Sequence, residues 1–102
     1  MKQIKTTDKN PSGTSFYGNT FTATVDELTT HLGEPMLYGD VEDKSQNEWV
    51  CETADGVLFT IYDWKQYRMY RTDEPIEWHI GAHNASSAND AHAAVVNTLE
   101  NL

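Results

Sequence analysis

Apolar residues recur along this chain with two periods, and each change of period marks a new element. From Phe16 to Ala23 a run rich in Thr and Phe, with Phe21 and Ala23 on one side, suits a strand. Thr24-Val25-Asp26-Glu27 then forms a capping-box pattern, in which the Thr24 side chain accepts from the Glu27 amide and the Glu27 carboxylate accepts from the Thr24 amide. A short helix is predicted from there: Val25, Leu28 and Leu32 supply its apolar stripe, Gly33 suits the turn that ends it, and Pro35 blocks continuation.

Alternation returns at Glu48–Thr53, with Trp49 and Cys51 on one face and Glu48 and Glu52 on the other. Asp55-Gly56 follows at once and predicts a two-residue hairpin loop, a geometry that asks both residues for positive φ. The second arm, residues 57–64, puts Val57, Phe59 and Ile61 on one side and Leu58, Thr60 and Tyr62 on the other. Ile76, Trp78 and Ile80 alternate with Glu77 and His79 in a last strand that stops at Gly81. Ser86 or Ser87 then caps a C-terminal helix with the stripe Ala88, Ala91, Val95, Leu99 and Leu102, whose small residues predict close packing on the sheet.

The order is β-α-β-β-β-α. Short turns between successive strands predict an α+β fold in which an antiparallel sheet of about four strands is covered on one face by two helices. Residues 1–15 are polar, with a turn cluster at Asn10-Pro11-Ser12-Gly13, and read as a flexible N-terminal arm; residues 16–102 read as one domain. An acidic loop is expected over Tyr38–Lys44. The spacing between the last two strands leaves their pairing order open.

Charge narrows the choice of partner. The net charge is −9, from 16 Asp and Glu against 7 Lys and Arg. Such a chain is repelled by duplex DNA and by anionic membranes, and is steered toward basic protein surfaces. Cys51 is the only cysteine, which excludes an intramolecular disulfide and a cysteine-based zinc site and suits a reducing cytoplasm. No apolar run approaches the roughly 20 residues that span a bilayer, and the first residues lack the apolar segment of a signal peptide, so a cytoplasmic location is expected.

Candidate chemistry is sparse. His79 and His83 are four apart but straddle a strand end and Gly81, whereas a metal pair at that spacing needs a helix; no metal or cofactor is implied. The serines are accounted for by turns and caps, Cys51 sits at an apolar strand position, and no phosphate-cradling glycine loop is present. A non-catalytic protein is the expectation.

One stretch stands apart. Both arginines lie within Tyr62-Asp63-Trp64-Lys65-Gln66-Tyr67-Arg68-Met69-Tyr70-Arg71, with one lysine, three tyrosines and a tryptophan. Aromatic faces beside guanidinium groups can stack on a flat group, grip a phosphate or anchor a protein interface. The binding candidates are Trp64, Lys65, Tyr67, Arg68, Tyr70 and Arg71, with Tyr62, Trp78 and His79 as secondary ones. The competing reading leaves Tyr62 and Trp64 in the core, and pairs Arg68 and Arg71 with Asp63, Asp73 or Glu74.

The runs Phe59-Thr60-Ile61-Tyr62-Asp63-Trp64-Lys65 and Glu77-Trp78-His79-Ile80-Gly81 carry a resemblance, together with Gly13-Thr14-Ser15, Gly33-Glu34-Pro35 and Glu48-Trp49. Over residues 12–84 the chain resembles small, mostly uncharacterised proteins of tailed bacteriophages. The resemblance implies a setting, the cytoplasm of an infected bacterium, and no catalytic residues. Small acidic phage proteins of this kind suggest a counter-defence factor that inhibits a host protein by direct binding or nucleic-acid mimicry. Two alternatives are a sponge, expected to be a homo-oligomer, that sequesters a small cyclic nucleotide signal, and an enzyme acting on such a nucleotide.

Overall fold

Two tryptophans fix both ends of the first helix. The Trp78 indole N–H donates to the Ala23 carbonyl at 2.9 Å, one residue before the helix N-cap, and the Trp49 indole N–H donates to the Gly33 carbonyl at 2.9 Å, just past its end. Both indoles are fully buried and meet edge to face at 5.5 Å. Such a contact is worth about 0.5–1.5 kcal/mol beyond the area it buries.

The computed structural model describes residues 4–35, 37–38, 46–66 and 68–100. The elements are β1 (Ile4–Thr6), β2 (Ser15–Ala23), α1 (Val25–Leu32), β3 (Leu37–Tyr38), β4 (Asn47–Thr53), β5 (Leu58–Asp63), β6 (Ile76–Ala82) and α2 (Ala85–Glu100). The chain is α+β, with an antiparallel sheet in the order β1-β4-β5-β6-β2 and the two-residue β3 paired to β4. The sheet thus has five strands along its main path, one more than the pattern predicts. The extra strand comes from the segment expected to be a flexible arm: Ile4 pairs with Thr53 and Thr6 with Cys51, and Ile4 is buried in the core. Three residues with one apolar side chain are too short for alternation to reveal a strand.

Register decides what each face carries. Trp49 lies opposite Ile61 and Ile61 opposite Ile80, while Cys51 lies opposite Phe59 and Phe59 opposite Ala82. Trp49, Cys51, Phe59, Ile61 and Ile80, with Phe21, Ala23 and Trp78, join Leu28 and Leu32 of α1 and Ala91, Ala94 and Val95 of α2 in one core. The predicted capping box is present, with Thr24 and Glu27 exchanging hydrogen bonds at 2.9 and 3.0 Å, worth about 1 kcal/mol. Small residues along α2 let it lie close against the sheet, as predicted. Its N-cap is Asn84 rather than Ser86 or Ser87: the Asn84 side chain accepts from the Ser87 amide at 2.8 Å. Leu102 lies outside the described residues.

The β4–β5 connection also differs from expectation. The Gly56 amide donates to the Thr53 carbonyl at 2.9 Å and the Thr53 amide to the Val57 carbonyl at 3.0 Å, giving a three-residue loop, Ala54–Gly56. Gly56 alone takes positive φ, at 86°, because a β-turn followed by one left-handed glycine closes a hairpin without asking Asp55 for strain. Of the acidic loop, Tyr38 belongs to β3, and residues 39–45 lie outside the described residues.

Candidate functional site

The side of the sheet opposite the helices carries the alternate residues of each strand. One cross-strand row runs Glu48, Tyr62, His79 and Thr20; the next runs Val50, Thr60, Gly81 and Phe16. Aromatic rings cluster where the rows meet. Phe16 stacks on His79 at 4.1 Å, Tyr62 meets His79 edge to face at 5.6 Å and Trp64 edge to face at 6.0 Å, and Trp64 lies over His79 at 6.1 Å. Phe16 is 44% exposed and Trp64 38%. Lys65 Nζ sits 5.5 Å from the centre of the Trp64 ring, within reach of a cation–π contact.

Beside this cluster is a groove of about 250 Å³. Thr60 and Gly81 lie at its floor, Glu48, Tyr62 and Trp64 form one wall, and Pro11, Thr14 and Ser15 form the other. Gly81 lets the strands lie this close, since a Cβ there would stand 2.6 Å from Thr60 Oγ1. The opposite wall is a fixed turn: the Thr14 amide and hydroxyl both donate to the Pro11 carbonyl, and Asn10 accepts from the Ser12 amide and hydroxyl.

The groove is acidic. Glu48 is half-buried, and burial, followed by the nearby charge of Asp63, pushes its carboxyl above the usual range. No Lys or Arg among the described residues pairs with it. Tyr62 is likewise raised, by burial and then by Glu48. His79 is held below its ordinary value by burial, against the opposing pull of Glu77 at 3.9 Å. At the far end of the same face Glu52 is lowered, chiefly by its 2.7 Å hydrogen bond from Lys9, with Lys5 at 3.7 Å.

The predicted binding residues divide sharply. Trp64 lines the groove, as does Tyr62 from the secondary set, whereas Lys65 and His79 contact the Trp64 ring without lining the groove. Neither Arg68 nor Arg71 lines it. Arg68 forks onto Glu74 through two bonds, at 3.2 and 2.5 Å, and Arg71 pairs with Asp73 at 2.7 Å. Tyr70 is structural: its hydroxyl donates to Asp63 at 2.5 Å and accepts from the Asn47 side chain at 2.6 Å. Asp63 is fully buried and also accepts the Gln46 and Asn47 amides, so it fastens the loop after β5 to the start of β4. Trp78 belongs to the core. Tyr67 lies outside the described residues.

Sequence reasoning missed Phe16, Glu48, Thr60 and Gly81. Glu48, Thr60 and Tyr62 were visible as the solvent-facing half of two alternating strands, and a glycine following Trp78-His79-Ile80 was a signal for a gap in the sheet face. Phe16 carried no signal, because its contact with His79 depends on which strands are neighbours. His31 and His92 each meet a backbone carbonyl, of Ile4 and Thr20 respectively, and His83 lies against Gly13. Among the described residues no three histidine, cysteine or carboxylate side chains gather as metal ligands, and no helix is long and apolar enough to cross a membrane. Comparison with protein-family models and with curated proteins finds no match.

Proposed function

We propose that this chain is a non-catalytic binding protein that docks a basic protein surface on the open face of its sheet. The observation that carries the proposal is the aromatic cluster of Phe16, Tyr62, Trp64 and His79 on that face, of which Phe16 and Trp64 are exposed, in a chain of net charge −9. Aromatic rings held in place by one another contribute binding area at small cost in side-chain entropy, and the surrounding negative charge steers basic partners. In the phage setting that the two aromatic runs suggest, the partner is a host protein in the bacterial cytoplasm, and the consequence of docking is its inhibition.

The nucleotide-sponge reading has weaker support. It needs cations for the phosphates, and Arg68 and Arg71 are each engaged by a neighbouring carboxylate. A more open hollow of about 330 Å³ beside them presents Asp73 and Glu74 along with Arg71, and the groove presents Glu48. Calorimetry with a panel of cyclic nucleotides tests this alternative, which stands only if one of them binds with measurable heat.

The test of the leading reading is a pull-down from bacterial lysate with the wild-type chain and with a Phe16→Ala, Trp64→Ala double variant. Wild type is expected to retain a discrete partner that elutes as salt rises, and the double variant to lose it. Equal recovery by the two chains would place the contact elsewhere.

A further inference from the structure

We infer that the groove between Glu48 and Trp64 receives a single arginine side chain of the protein partner. The inference rests on reading the open face as the docking surface, and it assigns that surface its anchor.

Ordinary small-molecule pockets run from roughly 300 to 1,000 Å³. At about 250 Å³ the groove is small for a nucleotide, and it suits one long side chain. Five of its lining residues, Ser15, Glu48, Thr60, Tyr62 and Gly81, belong to the paired strands β2, β4, β5 and β6, and Pro11, Thr14 and Trp64 come from the adjoining turn and loop.

Glu48 is a half-buried carboxylate without a Lys or Arg partner among the described residues, and it sits directly across from Tyr62 in the β4–β5 register. Tyr62 and Trp64 stand at 78° to each other, forming an aromatic corner on the same wall. A carboxylate beside such a corner matches a guanidinium, which forks onto the carboxylate in its plane and stacks on rings through its face. Thr60, Thr14 and Ser15 also line the groove, and a hydroxyl oxygen is an acceptor for N–H groups that do not reach the carboxylate.

The molecule already displays the attraction in part. Lys65 places its own ammonium over the Trp64 ring, so that ring is cation-binding within the chain itself. Burial and the charge of Asp63 both disfavour the ionised form of Glu48, and an entering cation offsets both. An ammonium would satisfy the charge but not the forked geometry, and that difference favours arginine over lysine.

The experiment is a titration of the ¹⁵N-labelled chain with three short acetylated, amidated peptides that are identical except for a central arginine, lysine or citrulline. Citrulline keeps the shape of arginine and loses the charge. The arginine peptide is expected to shift the Trp64 indole N–H and the Thr60 and Gly81 amides saturably. The lysine peptide should bind at least several-fold more weakly, and the citrulline peptide should leave these signals in place. Glu48→Gln, nearly isosteric, is expected to weaken the arginine peptide about tenfold or more while leaving the rest of the spectrum unchanged. Silence from the arginine peptide, equal binding of arginine and lysine, or full affinity in Glu48→Gln would overturn the assignment. The two readings fail separately: a silent titration beside a pull-down that depends on Phe16 and Trp64 removes only the arginine anchor. A specific titration beside an unaffected pull-down removes only the wider docking surface.

Discussion

The rings of Phe16 and His79 stack with centroids 4.1 Å apart and planes 15° from parallel, joining the edge strand β2 to β6 across the open face. The imidazole is half-enclosed by Phe16, Tyr62 and Trp64, with Glu77 as the charged side chain facing it. Its lowered pKa makes the stack sensitive to acid. The unfolded chain takes up the proton at the ordinary histidine value of 6.5, and the folded chain only at a lower pH. His79 therefore contributes full stability above about pH 6.5, and that contribution is lost as pH falls through its folded value. Urea unfolding across this window should show a falling midpoint, and His79→Gln should flatten that part of the profile. An unchanged slope in the variant would refute the role given to His79.

Gly81→Ala should cost about 1–3 kcal/mol, since the new Cβ meets Thr60 Oγ1 at 2.6 Å and Thr60 is itself buried. Adding Thr60→Ala to that variant should recover part of the loss. A thermal double-mutant cycle reads the coupling, and strictly additive effects would mean that the two positions do not clash.

Asp63 and the two arginines lie in the same stretch, yet removing them should have very different effects. Asp63→Ala strands the Gln46 and Asn47 amides and the Tyr70 hydroxyl, and should destabilise by about 3 kcal/mol or more. Arg68→Ala and Arg71→Ala break exposed ion pairs, which contribute little in water, and should leave the urea midpoint close to wild type.

Cys51 is fully buried, and burial pushes its thiol up to about 12. It should be inert to a thiol-specific reagent at neutral pH in the native state and react at once in denaturant. Rapid native labelling, without loss of structure, would contradict its place in the core.

Much of the architecture was legible because periodicity and capping are local. Thr24, Glu27 and Gly33 bound α1 as their chemistry requires, and Trp49, Phe59, Ile61 and Trp78 announced the core by alternation. What could not be read depends on partners distant in sequence. Ile4 becomes a strand residue only because Thr53 is there to pair with it. In sequence the loop from Trp64 to Arg71 allowed two readings, a contact surface or arginines paired with Asp63, Asp73 or Glu74. The fold divides it by a single residue, Asp63, which draws Tyr70 inward, while Glu74 and Asp73 engage the arginines. The groove was less legible still, since it joins residues of β4, β5 and β6 to the distant turn at Pro11–Ser15.

The register shift in β2 between Phe16 and Thr20, with Gly18 at φ 93°, has a consequence for self-association. A regular outer strand is a template onto which another chain can add by backbone pairing alone, without regard to sequence. The irregularity divides β2 into a two-residue and a four-residue ladder with β6, and twists the backbone between them. A newcomer strand could not follow both halves in one register, so this border of the sheet resists indiscriminate fibre-like growth.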